Sequence, residues 1–244
     1  MSYCARPLQA PFAVLIGFAL SSVGGCVYEQ QGPPKAHFGQ FSTKPPEGDT
    51  VTVCHAYGCK AQTPFSFTSS DIAEISAVMM HVRRVDSPSE ERRAIAYAIS
   101  WMERRVAPTV GTASDQPSIS FLGSGDESQQ DCVDEATNTT SYLLVLERHG
   151  LIQHHMVERP FAKDDLSHWT HWAALIREKE SGERFAIDSS SGANGENPTV
   201  QSATSFYVPD GPYDNKPPER SGYATTDPGL TGFSYSGSDT GSIR

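Results

Sequence analysis

The chain has 244 residues, 37% of them hydrophobic, and a formal net charge of −10. That length allows one or two domains, and the apolar share suffices for a core but is low for a chain packed from end to end. An acidic chain without a Lys/Arg cluster argues against nucleic acid as a partner and against attachment to anionic lipid through charge.

At the N-terminus one positive charge, Arg6, precedes an apolar run from Pro11 to Leu20, and small residues follow up to Cys26. The run is too short to span a bilayer as a mature helix, and its position matches a secretory signal peptide over residues 1–25. Val23-Gly24-Gly25-Cys26 resembles a bacterial lipobox, in which the cysteine is lipidated and becomes the new N-terminus. The expected location is therefore the bacterial cell envelope, facing the periplasm, with acyl chains on Cys26 as the membrane anchor. The alternative is ordinary signal cleavage nearby, with Cys26 a bystander.

Residues 26–50 carry Gln31-Gly32-Pro33-Pro34 and Lys44-Pro45-Pro46-Glu47-Gly48 and show no hydrophobic periodicity, so they read as a flexible tether. The folded domain is expected over 51–208. Val51 to Cys59 reads as a strand turning back through Gly58, and an exported compartment permits a Cys54–Cys59 disulfide. Such a bridge closes a small loop and is expected as a local staple, with a metal-binding pair as the alternative.

Two helices follow. Asp71 with Glu74 gives a start signal for the first, with Ile72, Ile75, Val78, Met79 and Val82 at helical spacing. Ser87-Pro88-Ser89-Glu90 predicts a capping box for the second, whose apolar face is Ile95, Ala98, Ile99, Met102 and Val106. Pro108 to Gln130 is a loop by composition. A third helix is expected from Cys132 to a glycine stop at Gly150, then a strand over Leu151 to Arg159. His171 to Arg177 and Arg184 to Asp188 alternate in polarity and read as a hairpin turning at Ser181-Gly182. Phe206-Tyr207-Val208 closes the domain, and 209–244 reads as a disordered tail.

Chemistry concentrates between Cys132 and Asp188. Once Cys4 leaves with the signal, Cys26 carries lipid and Cys54 pairs with Cys59, Cys132 is the one thiol without an assignment. A thiol at a helix start is favoured as a thiolate by unpaired amides and the helix dipole. Histidine transfers protons near neutral pH, and a carboxylate on its other nitrogen fixes the tautomer. Cys132, His171 and Asp188 fit those three roles, since the hairpin brings the last two to one open end. His168 is a rival to His171. Asp126, Glu127, Asp131, Asp134 and Glu135 surround the thiol in sequence, and like charge disfavours a thiolate, so these carboxylates are expected to point outward.

Cys132 opening a helix that ends at Gly150, a strand beginning with His171 and a strand ending in Asp188 together resemble the transglutaminase-like superfamily, most closely its bacterial transglutaminase-like cysteine peptidases. The resemblance covers roughly residues 70 to 200. It implies an α+β, papain-like core in which the nucleophile-bearing helix packs on a small antiparallel sheet. It also implies a peptidase, amidase or acyltransferase working through a thioester on a protein or peptide substrate, with no cofactor. Ala173-Ala174 and Ser189-Ser190 depart from the residues usual beside the histidine and the aspartate. Gln130, with Gln129 beside it, is a candidate oxyanion donor, and the Cys132 N–H is another. Trp169 and Trp172 are candidates to line the cleft.

Two other readings compete. His149, His154, His155, His168 and His171 with nearby acids offer a zinc cluster, but no HExxH occurs and no metal is expected. A non-catalytic envelope lipoprotein that binds a partner through the same fold is the third.

Overall fold

The hydroxyl of Thr68 accepts the Asp71 amide at 3.1 Å, and the Asp71 carboxylate accepts the Thr68 amide at 2.8 Å. A complete capping box thus opens α2 (Ser69–Val82), and Asp71 is its third helical residue rather than its cap. These contacts come from a computed structural model that describes residues 27–28, 32–117, 123–164 and 170–207. The signal peptide expected at 1–25, Cys26, His168, Trp169 and the tail expected at 209–244 lie outside the described residues.

Ser87 caps α3 (Pro88–Val110) through the Glu90 amide, with Pro88 in the first turn. Glu90 does not return the bond to Ser87; its carboxylate takes the Arg84 amide and the Arg93 guanidinium instead. The helix also runs one turn further than expected and ends at Gly111, whose φ of 97° suits glycine. Pro108 lies in that last turn, where few intrahelical bonds remain to be broken, so it does not start the loop. The third long helix, α4 (Cys132–Arg148), begins at Cys132 as expected, and Gly150 turns the chain away at φ 69°.

Five antiparallel strands form the main sheet in the order β1 (Val27–Tyr28), β4 (His155–Asp164), β5 (Thr170–Glu178), β6 (Arg184–Asp188) and β7 (Thr199–Ser202). A separate hairpin pairs β2 (Thr50–His55) with β3 (Ala61–Ser66). The strand expected over Leu151 to Arg159 is displaced toward the C-terminus, and its register shifts between Glu158 and Phe161. Pro160 lies in that interval and has no N–H to give to a ladder, which is the setting for a bulge.

One face of the sheet presents Val157, Ala174, Ile176, Phe185 and Ile187 to the helices, where they join Ile95, Ile99, Met102, Leu143 and Leu146 in the main core. Phe161, Ala173, Leu175 and Ala186 form a smaller cluster with Ala203 and Phe206 of α5 (Ala203–Tyr207). Both faces of β5 are therefore buried.

Residues 32–50 are not the extended tether expected. They contain α1 (Lys35–Gln40), and His37 and Phe38 are fully buried. The His37 ring bonds the Thr137 hydroxyl of α4 at 2.8 Å, and Phe41 meets Trp172 edge-on at 5.4 Å. Three aromatic side chains attach this segment, and a single short turn leaves no period for the sequence to display. The described residues form an α+β fold with small antiparallel sheets. Among them no helix is long and apolar enough to cross a membrane.

Candidate active site

The open end of the β5–β6 hairpin is set by its register, which pairs Ala174 with Ile187. His171 and Asp188 then lie at the same end, and His171 Nε2 is 2.8 Å from Asp188 Oδ2. Asp188 is held on its other oxygen as well: Oδ1 accepts the Ser190 hydroxyl at 2.8 Å and the Ser190 amide at 3.2 Å. Phe206 stacks on the imidazole, with centroids 5.5 Å apart and planes 26° from parallel. The ring is thus fixed by a bond at one edge and by a flat neighbour.

Cys132 reaches this ring from α4, which packs on β5. The partly exposed thiol is the one free cysteine among the described residues. Its Sγ donates to the Thr170 carbonyl at 3.6 Å, and the thiol lies near enough to His171 to favour the protonated ring. Since Nε2 is held by Asp188, Nδ1 is the nitrogen left for the sulfur. Cys132, beside the residue that precedes His171, and the bonded pair His171–Asp188 are thus brought to the same end of the sheet.

Their electrostatics agree with the geometry. Burial disfavours a charged His171, but the Asp188 carboxylate and the Cys132 sulfur outweigh it and push the imidazole pKa up to about 10. Burial would raise Asp188, yet the His171 charge and bond, the Ser190 hydroxyl and Lys163 hold its carboxyl below the usual range. A deprotonated acid beside a readily protonated ring is the pairing that keeps a histidine oriented.

The carboxylates around Cys132 do not all point outward. Asp131 caps α4, with Oδ1 accepting the amides of Val133 at 3.1 Å and Asp134 at 2.9 Å. Asp134 is buried and faces the Cys54–Cys59 loop, which is closed by a disulfide. It accepts the amides of Tyr57 at 2.8 Å, Cys59 at 2.6 Å and Asp131 at 3.2 Å. Burial and the Asp131 charge nevertheless push its pKa up to about 7. Glu135 is buried beneath the helix beside Asp115 and Glu103, and burial with these neighbouring charges raises it well above the carboxylate range. The helix start is crowded enough that the acids must be paired or neutralised inside it.

Gln130 is 4% exposed and its side chain donates to the Cys54 carbonyl at 3.0 Å, while its amide goes to Asp115 Oδ1 at 2.7 Å. Those contacts tie the loop down; they do not serve an oxyanion. The Cys132 N–H, in the first turn, has no intrahelical partner by position and is the better-placed donor. Trp172 is 6% exposed and packs with Ala136 and Ala162 rather than lining an open cleft.

The described histidines of the zinc cluster weighed as an alternative serve different carboxylates: His149 meets Asp49 at 2.7 Å, His154 Asp86 and His155 Glu91 both at 2.9 Å, and His171 Asp188. One group of described residues has metal-ligand spacing, Cys54, Cys59 and Asp134, and its two sulfurs are bonded to each other.

The sequence reading misses Ser190 and Phe206 as parts of this site, and it expects outward an Asp134 that is buried and turned inward. A serine two residues after an aspartate is a local turn signature that pointed to Ser190. Nothing local marked Phe206. Comparison with protein-family models, curated proteins and solved structures gives no match.

Proposed function

We propose that the protein is an exported, lipid-anchored cysteine hydrolase acting on a protein or peptide. The observation that carries this reading is the imidazole of His171 bonded to Asp188 at 2.8 Å through Nε2, with the Cys132 thiol beside it on the Thr170 carbonyl. The Cys132 thiolate, paired with the protonated His171 ring, attacks an amide or ester carbonyl. The tetrahedral oxyanion collapses to a thioester, and the departing amine or alcohol takes the proton from His171. Water, deprotonated by the same ring, attacks the thioester and releases the acid and the thiol. An amine in place of water gives transamidation. Asp188 orients the ring throughout.

A helix that presents cysteine to the open end of an antiparallel hairpin bearing histidine and aspartate supports assignment to the transglutaminase-like cysteine peptidases and their papain-like core. With Cys26 lipidated, the anchor would lie near the chemistry. Val27 pairs with Lys163, and Lys163 pairs with His171. Two strand spacings of about 4.8 Å each separate the residue after the anchor from the histidine, so the reaction would take place close to the bilayer.

Iodoacetamide labelling of the folded protein across pH, with the adduct mapped by mass, tests the catalytic assignment. Cys132 should react faster than a free model thiol, and His171→Ala should remove that advantage. A Cys132 that behaves as a free thiol, indifferent to His171, ends it. A lipid mass on Cys26 tests the anchor, and a mature N-terminus elsewhere ends that part.

A further inference from the structure

The Cys54–Cys59 loop is bound to the start of α4 far more closely than a surface staple requires. Ala56, Tyr57, Gly58 and Cys59 all have positive φ, from 57° to 69°. Four successive left-handed residues, three of them carrying a side chain, are a conformation that an L-chain does not maintain unaided. The bridge across its ends holds it, and its amides then project together. Tyr57 and Cys59 donate to the two oxygens of Asp134, and Gly58 donates to Asp131 Oδ1 at 3.1 Å.

Further bonds link the same loop to both sides of Cys132. Asn138, on α4, accepts the Cys54 amide at 2.7 Å and donates to the Cys54 carbonyl at 2.8 Å. On the approach to the helix, the Ala56 amide goes to the Gln129 carbonyl at 2.8 Å, and the Gly125 amide goes to the Ala56 carbonyl at 3.2 Å. Tyr57 lies so close over Gly123 that a Cβ there would come within 2.5 Å of its hydroxyl oxygen. The left-handed turn therefore meets the chain at Gly123, Gly125, Gln129, Asp131, Asp134 and Asn138, around the residue whose thiol faces His171.

Asp131 and Asp134 stand one residue before and two after that thiol. Three backbone N–H groups of the loop bind their carboxyl oxygens and so hold this end of the helix, with Cys132 in it, in one position. We propose that the Cys54–Cys59 loop is a positioning element for Cys132, so that the reactivity of this thiol depends on the bridge being intact. The inference rests on Cys132 being the nucleophile. It adds regulation to that site: a dithiol reductant converts the bridge into two thiols, is itself oxidised to a disulfide, and frees the turn to relax to right-handed backbone. The protein is then reactive in an oxidising compartment and silent in a reducing one, before export.

The test compares iodoacetamide labelling of Cys132 at pH 5–9 in the purified chain, in Cys54→Ser/Cys59→Ser and in Asp134→Asn, with circular dichroism and Tm on each. Asp134→Asn keeps the bridge and the side-chain size but turns a carboxamide NH2 toward backbone N–H groups. Both variants, still folded, should label on the order of tenfold more slowly at pH 7, the effect expected of a misplaced reacting group, and the double variant should lose its response to His171→Ala. Wild-type labelling rates in the folded variants overturn the proposal. If the double variant does not fold, Asp134→Asn decides alone by the same criterion. Should His171→Ala leave the otherwise unaltered chain unchanged, the nucleophile assignment itself fails and takes this inference with it.

Discussion

Phe206 lies against His171 with ring centroids 5.5 Å apart, and it touches Phe161 at 4.8 Å on the same side. An imidazole that must turn neither away from Asp188 nor away from Cys132 gains from a flat neighbour. Phe206→Leu keeps most of the volume and should cost no more than about 1.5 kcal/mol in stability. It removes the flat face, so Cys132 labelling by iodoacetamide is expected to slow several-fold while Tm falls by only a few degrees. A labelling rate that tracks Tm alone would show that Phe206 serves packing and nothing else.

Asp188→Asn separates orientation from shape. The amide fits the same space, but its NH2 can face the imidazole only if the ring changes tautomer, and the charge that sustains the imidazolium is gone. The His171 pKa, now pushed up to about 10, should drop by at least one unit, and turnover should fall on the order of 10²–10⁴-fold. Imidazole proton NMR across pH reads the first effect. A titration midpoint that stays near 10 would show that Asp188 is not what holds the proton on the ring.

These relations were legible in the sequence to different depths. Cys132 at a helix start, and His171 level with Asp188 on a hairpin, followed from periodicity and turn residues, because both are consequences of local backbone geometry. Ser87, Gly150 and the Cys54–Cys59 bridge were legible for the same reason. The packing of α1 was not, since His37, Phe38 and Phe41 become a buried group only against Trp172 and Thr137, more than a hundred positions away in the case of Trp172. The inward turn of Asp134 was equally hidden. An acidic run in sequence reads as a solvated surface, and only the left-handed turn of a distant loop supplies the amides that draw it inside.

The buried acids beneath α4 fix the direction of the pH dependence. Unfolded carboxyls ionise near pH 4, whereas Glu103 and Asp134 keep their protons to about 7 and Asp115 to about 6, chiefly because burial disfavours their charged forms. Between those limits the folded state binds more protons, so stability falls as pH rises. His171 acts in the same direction at higher pH: the stabilisation it gives below 6.5 is lost as pH climbs toward 10. Tm should therefore decline from about pH 5.5 to pH 9. Glu135→Gln, which replaces a buried acid by a neutral side chain, should flatten that decline and raise stability at pH 8. Chemical denaturation at pH 5.5 and pH 8 checks this, and a Tm that rises with pH over the same range contradicts it.

At the far end of the sheet Glu91 acts in the opposite direction. It is fully buried, and its carboxylate accepts the amides of Gln153 at 2.7 Å, His154 at 2.9 Å and His155 at 3.0 Å, with His155 Nδ1 at 2.9 Å. Burial by itself would raise this acid, but the His155 bond and the backbone donors hold it below its usual range. Its stabilisation is present above the unfolded pKa and is lost as pH falls through the lower folded value, which sets the acid limit of the stability window. Glu91→Ala leaves three amides and an imidazole in a dry interior without their acceptor, a loss of about 3–5 kcal/mol. Glu91→Gln keeps the volume but offers one acceptor oxygen where two were used, and should fall between Ala and wild type. Urea denaturation of the three proteins at pH 7 orders them. Because Glu91 anchors the start of β4, far from the open end of the hairpin, Cys132 labelling in Glu91→Gln should remain at the wild-type rate wherever the variant is folded. A labelling defect there would mean that the start of β4 is coupled to the end of β5 that carries His171.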